Sequence, residues 1–122
     1  MEQSIAVDSS IDQTFVYEND NEKTPHTVYL TFEHNKYVDF MQLVLTFSHS
    51  FNDTTSFAVP IGIPLFDQQH NFTGTQTDSL WHCEVAVLSD VYMRKGKQLF
   101  TFTSDEGRIF NGLKTVGIRI EK

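Results

Sequence analysis

The residues best suited to chemistry in this sequence are its histidines and its single cysteine, because imidazole and thiolate are common ligands of transition metals. The histidines are His26, His34, His49, His70 and His82. They form no H-x-H or H-E-x-x-H motif, and the adjacent His82 and Cys83 would point to opposite faces of a strand. We therefore predict no metal site and no cofactor.

Nucleophilic catalysis would need a serine or the cysteine beside a base. The serine candidates are Ser79 and Ser104, with Asp67, His70 or His82 as their partners. No G-x-S-x-G elbow surrounds either serine, and the alternation around Cys83 predicts a buried, unreactive thiol. The sequence therefore predicts no catalytic residue and a protein that is not an enzyme.

An oxygen-rich loop is the one candidate for calcium. It runs from Glu18 to Glu22 and reads ENDNE, which concentrates the carboxylate and amide oxygens that calcium takes. The D-x-D-x-D-G spacing of a calcium loop is absent. A solvated turn is the favoured interpretation, and calcium binding stays open.

Exposed aromatic rings are candidates for ligand binding, since sugars stack on them. The candidates are Tyr29, Tyr37, Phe72, Trp81 and Tyr92, and of these Phe72, alone in the polar stretch 67–79, is the hardest to place in a core. Trp81 shares a strand face with Cys83 and is assigned to the core. The predicted ligand-binding residues are therefore Phe72, Tyr92 and Tyr29.

Apolar residues alternate with polar ones along several stretches, which is the pattern of half-buried strands. The clearest rows are Val28, Leu30 and Phe32; Met41, Leu43, Leu45 and Phe47; Trp81, Cys83, Val85 and Val87; and Val116, Ile118 and Ile120. A further row, from Val59 to Leu65, contains Pro60 and Pro64, which cannot donate to a ladder, so an edge or bulged strand is predicted there.

The C-terminal part of the chain is expected to organise the fold. Phe100 and Phe102 mark one strand and Ile118 another, and both are predicted to lie in one sheet. Between them, Ser104 could be the N-cap of one helical turn over Asp105 and Glu106.

These patterns predict an all-β fold, an antiparallel β-sandwich of jelly-roll or immunoglobulin-like build with about seven to eight strands. Residues 1–10 are predicted to be a flexible leader, in which Ile5 and Val7 could make a short edge pairing. Residues 11–122 are predicted to form a single β-sandwich domain, a size sufficient for one core.

Composition excludes some partners. The chain has 122 residues, 16 acidic against 9 basic, and a net charge of −7, so no basic patch offers a footprint for nucleic acid. No apolar run approaches the length needed to span a bilayer, and the first residues do not have the pattern of a signal peptide.

Two segments resemble the GldH-type gliding-motility lipoproteins of Bacteroidetes. Asn35, Tyr37 and Leu43 are similar to an N-x-x-Y…L pattern of that family. Gly112 and the run VGIRIEK at 116–122 are similar to its L-x-G-I-x-D-V-G-L-R-I-E-K ending. The resemblance is strongest over the last third of the chain.

The resemblance implies a non-enzymatic outer-membrane lipoprotein domain of the cell envelope that works through protein partners. It also implies that membrane attachment is limited to an N-terminal lipid anchor, on a cysteine that would precede Met1. The alternatives are a carbohydrate-binding β-sandwich module and a phage structural module of the tail or baseplate. Seeing a lipobox upstream of Met1 would favour the first interpretation, and glycan binding would favour the carbohydrate module.

Overall fold

The computed structural model describes residues 1–8, 10–105 and 107–122. The described residues form nine β-strands and no helix. The strands are β1 (Glu2–Ala6), β2 (Asp12–Asn19), β3 (His26–His34), β4 (Gln42–Phe51), β5 (Thr54–Pro64), β6 (Thr75–Thr77), β7 (Leu80–Val91), β8 (Gly96–Thr103) and β9 (Leu113–Glu121). The predicted all-β class is confirmed, and β1 and the three-residue β6 account for the strands beyond the predicted number.

Two antiparallel sheets pack face to face. One has the order β1-β9-β3-β7-β6 and the other the order β2-β8-β4-β5. With the short β6 set aside, successive strands exchange sheets in the manner of a jelly roll, except that β4 and β5 form a hairpin within one sheet. This arrangement keeps four strands on each side of one core. The predicted antiparallel sandwich is therefore confirmed.

The core is made by the inward-facing rows of the central strands, because every second side chain of a strand points to the same face. Leu30, Leu43 and Phe100 are among its fully buried members. Aromatic rings fill much of the space between the sheets, and Phe47 stacks on Phe102 with 5.0 Å between ring centroids. Met41 was expected in this row but is 65% exposed, because β4 begins only at Gln42.

The two C-terminal strands do not share a sheet, so that prediction was wrong. β8 pairs with β2 and β4, whereas β9 pairs with β1 and β3 in the opposite sheet. Alternation shows which face of a strand is buried, but it does not show which sheet the strand joins. Here both rows face the same core from its two sides.

The segment between β8 and β9 carries the chain across the sandwich. The Ser104 hydroxyl accepts a hydrogen bond from the backbone amide of Ile11 at 2.8 Å, and its own amide donates to the Ile11 carbonyl. Ser104 therefore joins the start of β2 to the end of β8, and its described neighbours form no helical turn. Glu106, part of the predicted turn, lies outside the described residues.

The first residues form an edge strand where a flexible leader was expected. β1 pairs with β9, and Ile5 lies opposite Val116, as the possible edge pairing of Ile5 anticipated. The amide of Val7 continues the contact by donating to the Lys114 carbonyl at 2.9 Å. At Gly117, opposite Ser4, the backbones approach so closely that a side chain would meet the carbonyl of Gln3. Ser9, within the predicted leader, lies outside the described residues.

Candidate binding surfaces

The three aromatic residues predicted to bind a ligand lie on three separate parts of the sandwich. Phe72 is half-buried and packs against Phe66 and Trp81, with ring centroids 4.8 and 4.6 Å away. The ring of His34 completes this cluster, 4.8 Å from Phe72 and stacked on Trp81. Phe72 therefore belongs to an aromatic cluster at one end of the core and is only partly exposed.

Tyr29 lies on the outer face of the five-stranded sheet, beneath Arg119. The guanidinium carbon is 4.1 Å from the centre of the ring. Arg119 also pairs with Glu121, and its Nε donates to Glu84 at 3.0 Å. The hydrogen bond between Arg119 and Glu84 is the largest influence on both groups: it holds the pKa of Glu84 below its usual value and raises the pKa of Arg119. The ring of Tyr29 is thus the floor of an ion-pair network.

Tyr92 is 68% exposed and lies at the opposite end of β7 from Phe72. It lines a cleft of about 460 Å³ together with His49, Arg94 and the buried Gln98. The Gln98 amide nitrogen donates to the Arg94 carbonyl at 2.6 Å, so its oxygen accepts from His49 Nε2 at 2.7 Å. Tyr92 is the predicted residue whose exposed ring can meet a ligand.

A second cleft holds aromatic residues that were not predicted to bind. It has a volume of about 440 Å³, and its lining includes Tyr37, Trp81, Asn35 and Gln76. Tyr37 is 73% exposed, and Asn35 accepts a hydrogen bond from the Tyr37 amide at 2.9 Å. Sequence analysis assigned Trp81 to the core, but it is only half-buried, because β7 begins at Leu80. Its cleft-facing position could not be deduced from alternation.

The oxygen-rich loop after β2 is bonded to its surroundings. The Asn19 amide is buried and donates to the carbonyls of Met93 and Arg94 at 2.8 and 3.2 Å. A Glu22 oxygen accepts from the Lys95 amide at 3.0 Å. Asp20 pairs with Lys122, whose hydrogen bond holds the Asp20 pKa below its usual value. In the described ranges, no group of three or more His, Cys, Asp or Glu side chains is placed to hold a metal ion.

Two histidines are buried in the core. His26 and His34 are both 0% exposed. Neither ring nitrogen of His26 has a hydrogen-bond partner, and its ring packs edge-on against Tyr17 at 5.7 Å. Burial lowers the pKa of His26, a change that Lys122 reinforces and the backbone of Thr24 opposes. His26 is a core side chain that is poorly suited to carry charge.

Cys83 is buried on the inner face of β7, as its phase predicted. Burial raises the pKa of the thiol to about 11. A thiol with so high a pKa is protonated at neutral pH and is a poor nucleophile and metal ligand.

One long side of the sandwich is left open. β6 pairs with β7 only at Leu80, Trp81 and His82, and past that point no strand of the described chain lies beside the outer edge of β7. On the same side, β5 is the edge of the other sheet. We call the gap between β5 and the free part of β7 the open seam. Its groove has a volume of about 550 Å³, lined by Ile63, Pro64, Thr73, Gly74, Thr75, His82, Cys83, Glu84 and Val85.

Core-facing side chains along the open seam remain partly exposed. Val59, Ile61 and Ile63 pair with the fully inward Phe47, Leu45 and Leu43 and therefore face the same core. Val59 is nevertheless 40% exposed, and Ile61, Ile63 and Val85 are half-buried. These residues point towards the core but stay partly exposed, because no strand of the described chain covers this side of the sandwich.

Acidic residues outnumber basic ones around the open seam, where Glu84 shares Arg119 with Glu121. Between Lys36 and Arg94 the sequence has no lysine or arginine, and this stretch contains β4, β5, β6 and β7. Its acidic residues are Asp39, Asp53, Asp67, Asp78, Glu84 and Asp90. The absence of lysine and arginine between positions 36 and 94 is a sequence signal that could have indicated this acidic surface.

No family model, curated protein or solved structure matches the chain. Across the described residues, no helix is long and apolar enough to cross a membrane.

Proposed function

We propose that this chain is a non-enzymatic domain of a cell-envelope lipoprotein that acts by binding another protein along the open seam. The resemblance to the GldH-type lipoproteins suggests the location and the absence of catalysis. The single observation that supports protein binding is the row of core-facing residues left half-exposed beside β7, of which Val59 is 40% exposed. Exposed apolar surface with a polar rim is typical of sites where proteins meet.

The shape of this surface favours a protein over a small ligand. The groove is flanked on one side by β7 and on the other by β5, so it lies between two strand edges. A small molecule would usually be enclosed by a pocket with a few converging polar groups. A polypeptide can cover apolar side chains and backbone groups at the same time.

Site-specific photo-crosslinking in the native organism tests this proposal. A photoreactive residue replaces Val59, which faces the seam, or the neighbouring Ala58, which is exposed on the outer face of the same strand. We expect the probe at 59 to give one defined adduct in the membrane fraction and the probe at 58 to give none. Equal crosslinking from both positions, or recovery of the protein solely from the cytosol, would contradict the proposal.

Carbohydrate binding is a second candidate, favoured by the cleft that Tyr37 and Trp81 share. An exposed aromatic ring beside the amides of Asn35 and Gln76 provides both a stacking surface and hydrogen-bonding groups for hydroxyls. Trp81 is the only tryptophan, so its fluorescence reports directly on this cleft. A glycan-array hit should change that fluorescence, and Tyr37→Ala should abolish the change. Glycan binding that leaves the Trp81 emission unaltered would exclude this cleft.

A further inference from the structure

We propose that the open seam binds its partner by β-strand addition, taking an extended segment with apolar residues at alternate positions and basic residues between them. This inference rests on the proposed protein-binding function and specifies the class of partner. It joins three independent observations: a free strand edge, a half-covered apolar row and a surface on which acidic residues outnumber basic ones.

The free edge supplies the main-chain recognition. β6 stops pairing at Thr75, opposite His82, because the chain turns away at Gly74 and the Thr73 amide donates instead to the Leu65 carbonyl at 2.9 Å. From Cys83 onward the outer edge of β7 is therefore open until the bulge where its register with Val28 and Tyr29 shifts. The regular run from Cys83 to Ala86, roughly 13 Å long, can accept another strand.

Two of the features that usually protect an edge strand are absent from this run, which is protected only by Glu84 and by the bulge at its end. Proteins block exposed edges with prolines, lysines or very short strands. β5 contains Pro60 and Pro64, and β1 has five residues, whereas 83–86 reads CEVA. This part of β7 has neither proline nor lysine, and we infer that its edge is kept available for a partner strand.

The apolar row determines one face of the incoming segment. A strand added beside β7 would direct every second side chain into the open seam, towards Val59, Ile63 and Val85. Branched apolar side chains there would complete the burial that these three residues lack. The seam therefore selects apolar residues at alternate positions.

Charge determines the other face. The remaining side chains of the added strand would lie beside the outward-facing Glu84. Glu84 shares Arg119 with Glu121, so this group of two carboxylates and one guanidinium keeps a net negative charge. Opposite charges across neighbouring strands are stabilising, and a net negative surface favours a basic partner. Basic residues are therefore expected at those positions.

Synthetic peptides provide the direct test. The probe is a seven-residue peptide of alternating lysine and valine with both ends capped. The controls replace every lysine by glutamate or the central valine by proline, which removes one donor and interrupts the ladder. By calorimetry we expect the probe to bind with a dissociation constant at least about tenfold below that of either control. Equal binding of the proline peptide would overturn strand addition.

Hydrogen exchange locates the binding. The amides of residues 83–86 that point away from β3 should exchange quickly in the free protein and at least about tenfold more slowly with the probe bound. Protection confined to β1 or β2, the edge strands that do not border the open seam, would also overturn the proposal.

A matched pair of variants tests the seam itself. Val59→Lys places a positive charge inside the seam, and Ala58→Lys makes the same charge change on the outer face of β5. We expect Val59→Lys to weaken binding of the lysine–valine probe at least about tenfold and Ala58→Lys to change it less than about threefold. Similar losses for both would contradict a site in the seam. If Val59→Lys does not fold, the peptide controls with the unmodified protein still decide the question.

The two proposals fail in different ways. A defined crosslink from position 59 without binding of the probe would leave protein binding standing and reject a basic extended segment as the partner. Absence of both would reject both proposals.

Discussion

Truncation of two valines tests whether the open seam is open in solution. Val116 and Val59 both face the core, but Val116 is 0% exposed on the central strand β9 and Val59 is 40% exposed on the edge strand β5. The same change, valine to alanine, removes two methyl-sized groups at each site. Transfer of these groups is worth about 1.6 kcal/mol when they are fully buried.

The surroundings should make the two costs unequal. At Val116 an unfilled cavity adds to the transfer energy, so we expect Val116→Ala to cost about 2.5 kcal/mol. At Val59 roughly three fifths of the transfer energy applies and water refills the space, so Val59→Ala should cost about 1 kcal/mol or less. Urea denaturation gives both free energies of unfolding, and thermal melts should differ by about 6 °C. Two costs within about 0.5 kcal/mol of each other would mean that Val59 is covered in solution, and the argument for an open seam would fail.

Three further predictions concern the core. Ile118→Asp should remove most of the stability, several kcal/mol, because it leaves a buried charge without a partner. Lys114→Asp, at an exposed bulge position of the same strand, should cost about 0.5 kcal/mol or less in the same urea series. The free energy of unfolding should fall as the pH drops below about 6.5, by up to about 1.4 kcal/mol per pH unit. The reason is that the folded state lowers the pKa of His26, so the unfolded chain takes up the proton first. His26→Phe should reduce this slope, and an unchanged slope would mean that another group causes it. Cys83 should react with a thiol reagent at pH 8 at least about a hundredfold more slowly in the folded protein than in denaturant, and equal rates would place it at the surface.

The choice of Lys114 as a control comes from the structure. From sequence, Arg119 would have served, since it lies on the opposite face from Ile118 and a surface change there should cost little. The structure places its guanidinium over Tyr29 and between Glu84 and Glu121. Arg119→Asp would add a third carboxylate to this group, so it is a poor neutral reference.

Alternation predicted the central strands well because their inward rows are buried on one face only. Leu30 and Leu43 are fully buried as expected, and the prolines of β5 correctly indicated an edge. The sheet that each strand joins depends on pairings between residues far apart in sequence, which no local pattern reveals. That is why Phe100 and Ile118 were placed in one sheet and lie in two.

The sequence predicted the candidate site less well than it predicted the fold. Phe72 and Tyr29 were chosen as candidates for exposed rings, yet one packs into an aromatic cluster and the other lies under Arg119. The open seam depends on where β6 stops pairing, and this depends on a close approach at Gly74. A Cβ there would lie 2.7 Å from Cys83 Sγ and 2.8 Å from the His82 carbonyl oxygen.

Gly74 connects the fold to the proposed function. Because it has no side chain, the chain can pass against β7 at His82 and then leave the sheet for the end of β5, where Thr73 bonds Leu65. A residue with a side chain would push the crossing segment away from β7 at the point where the groove begins. The turn that precedes β6 therefore exposes the backbone of β7 next to Glu84 and Val85. The partner strand we propose would occupy the place that β6 would fill if it began several residues earlier.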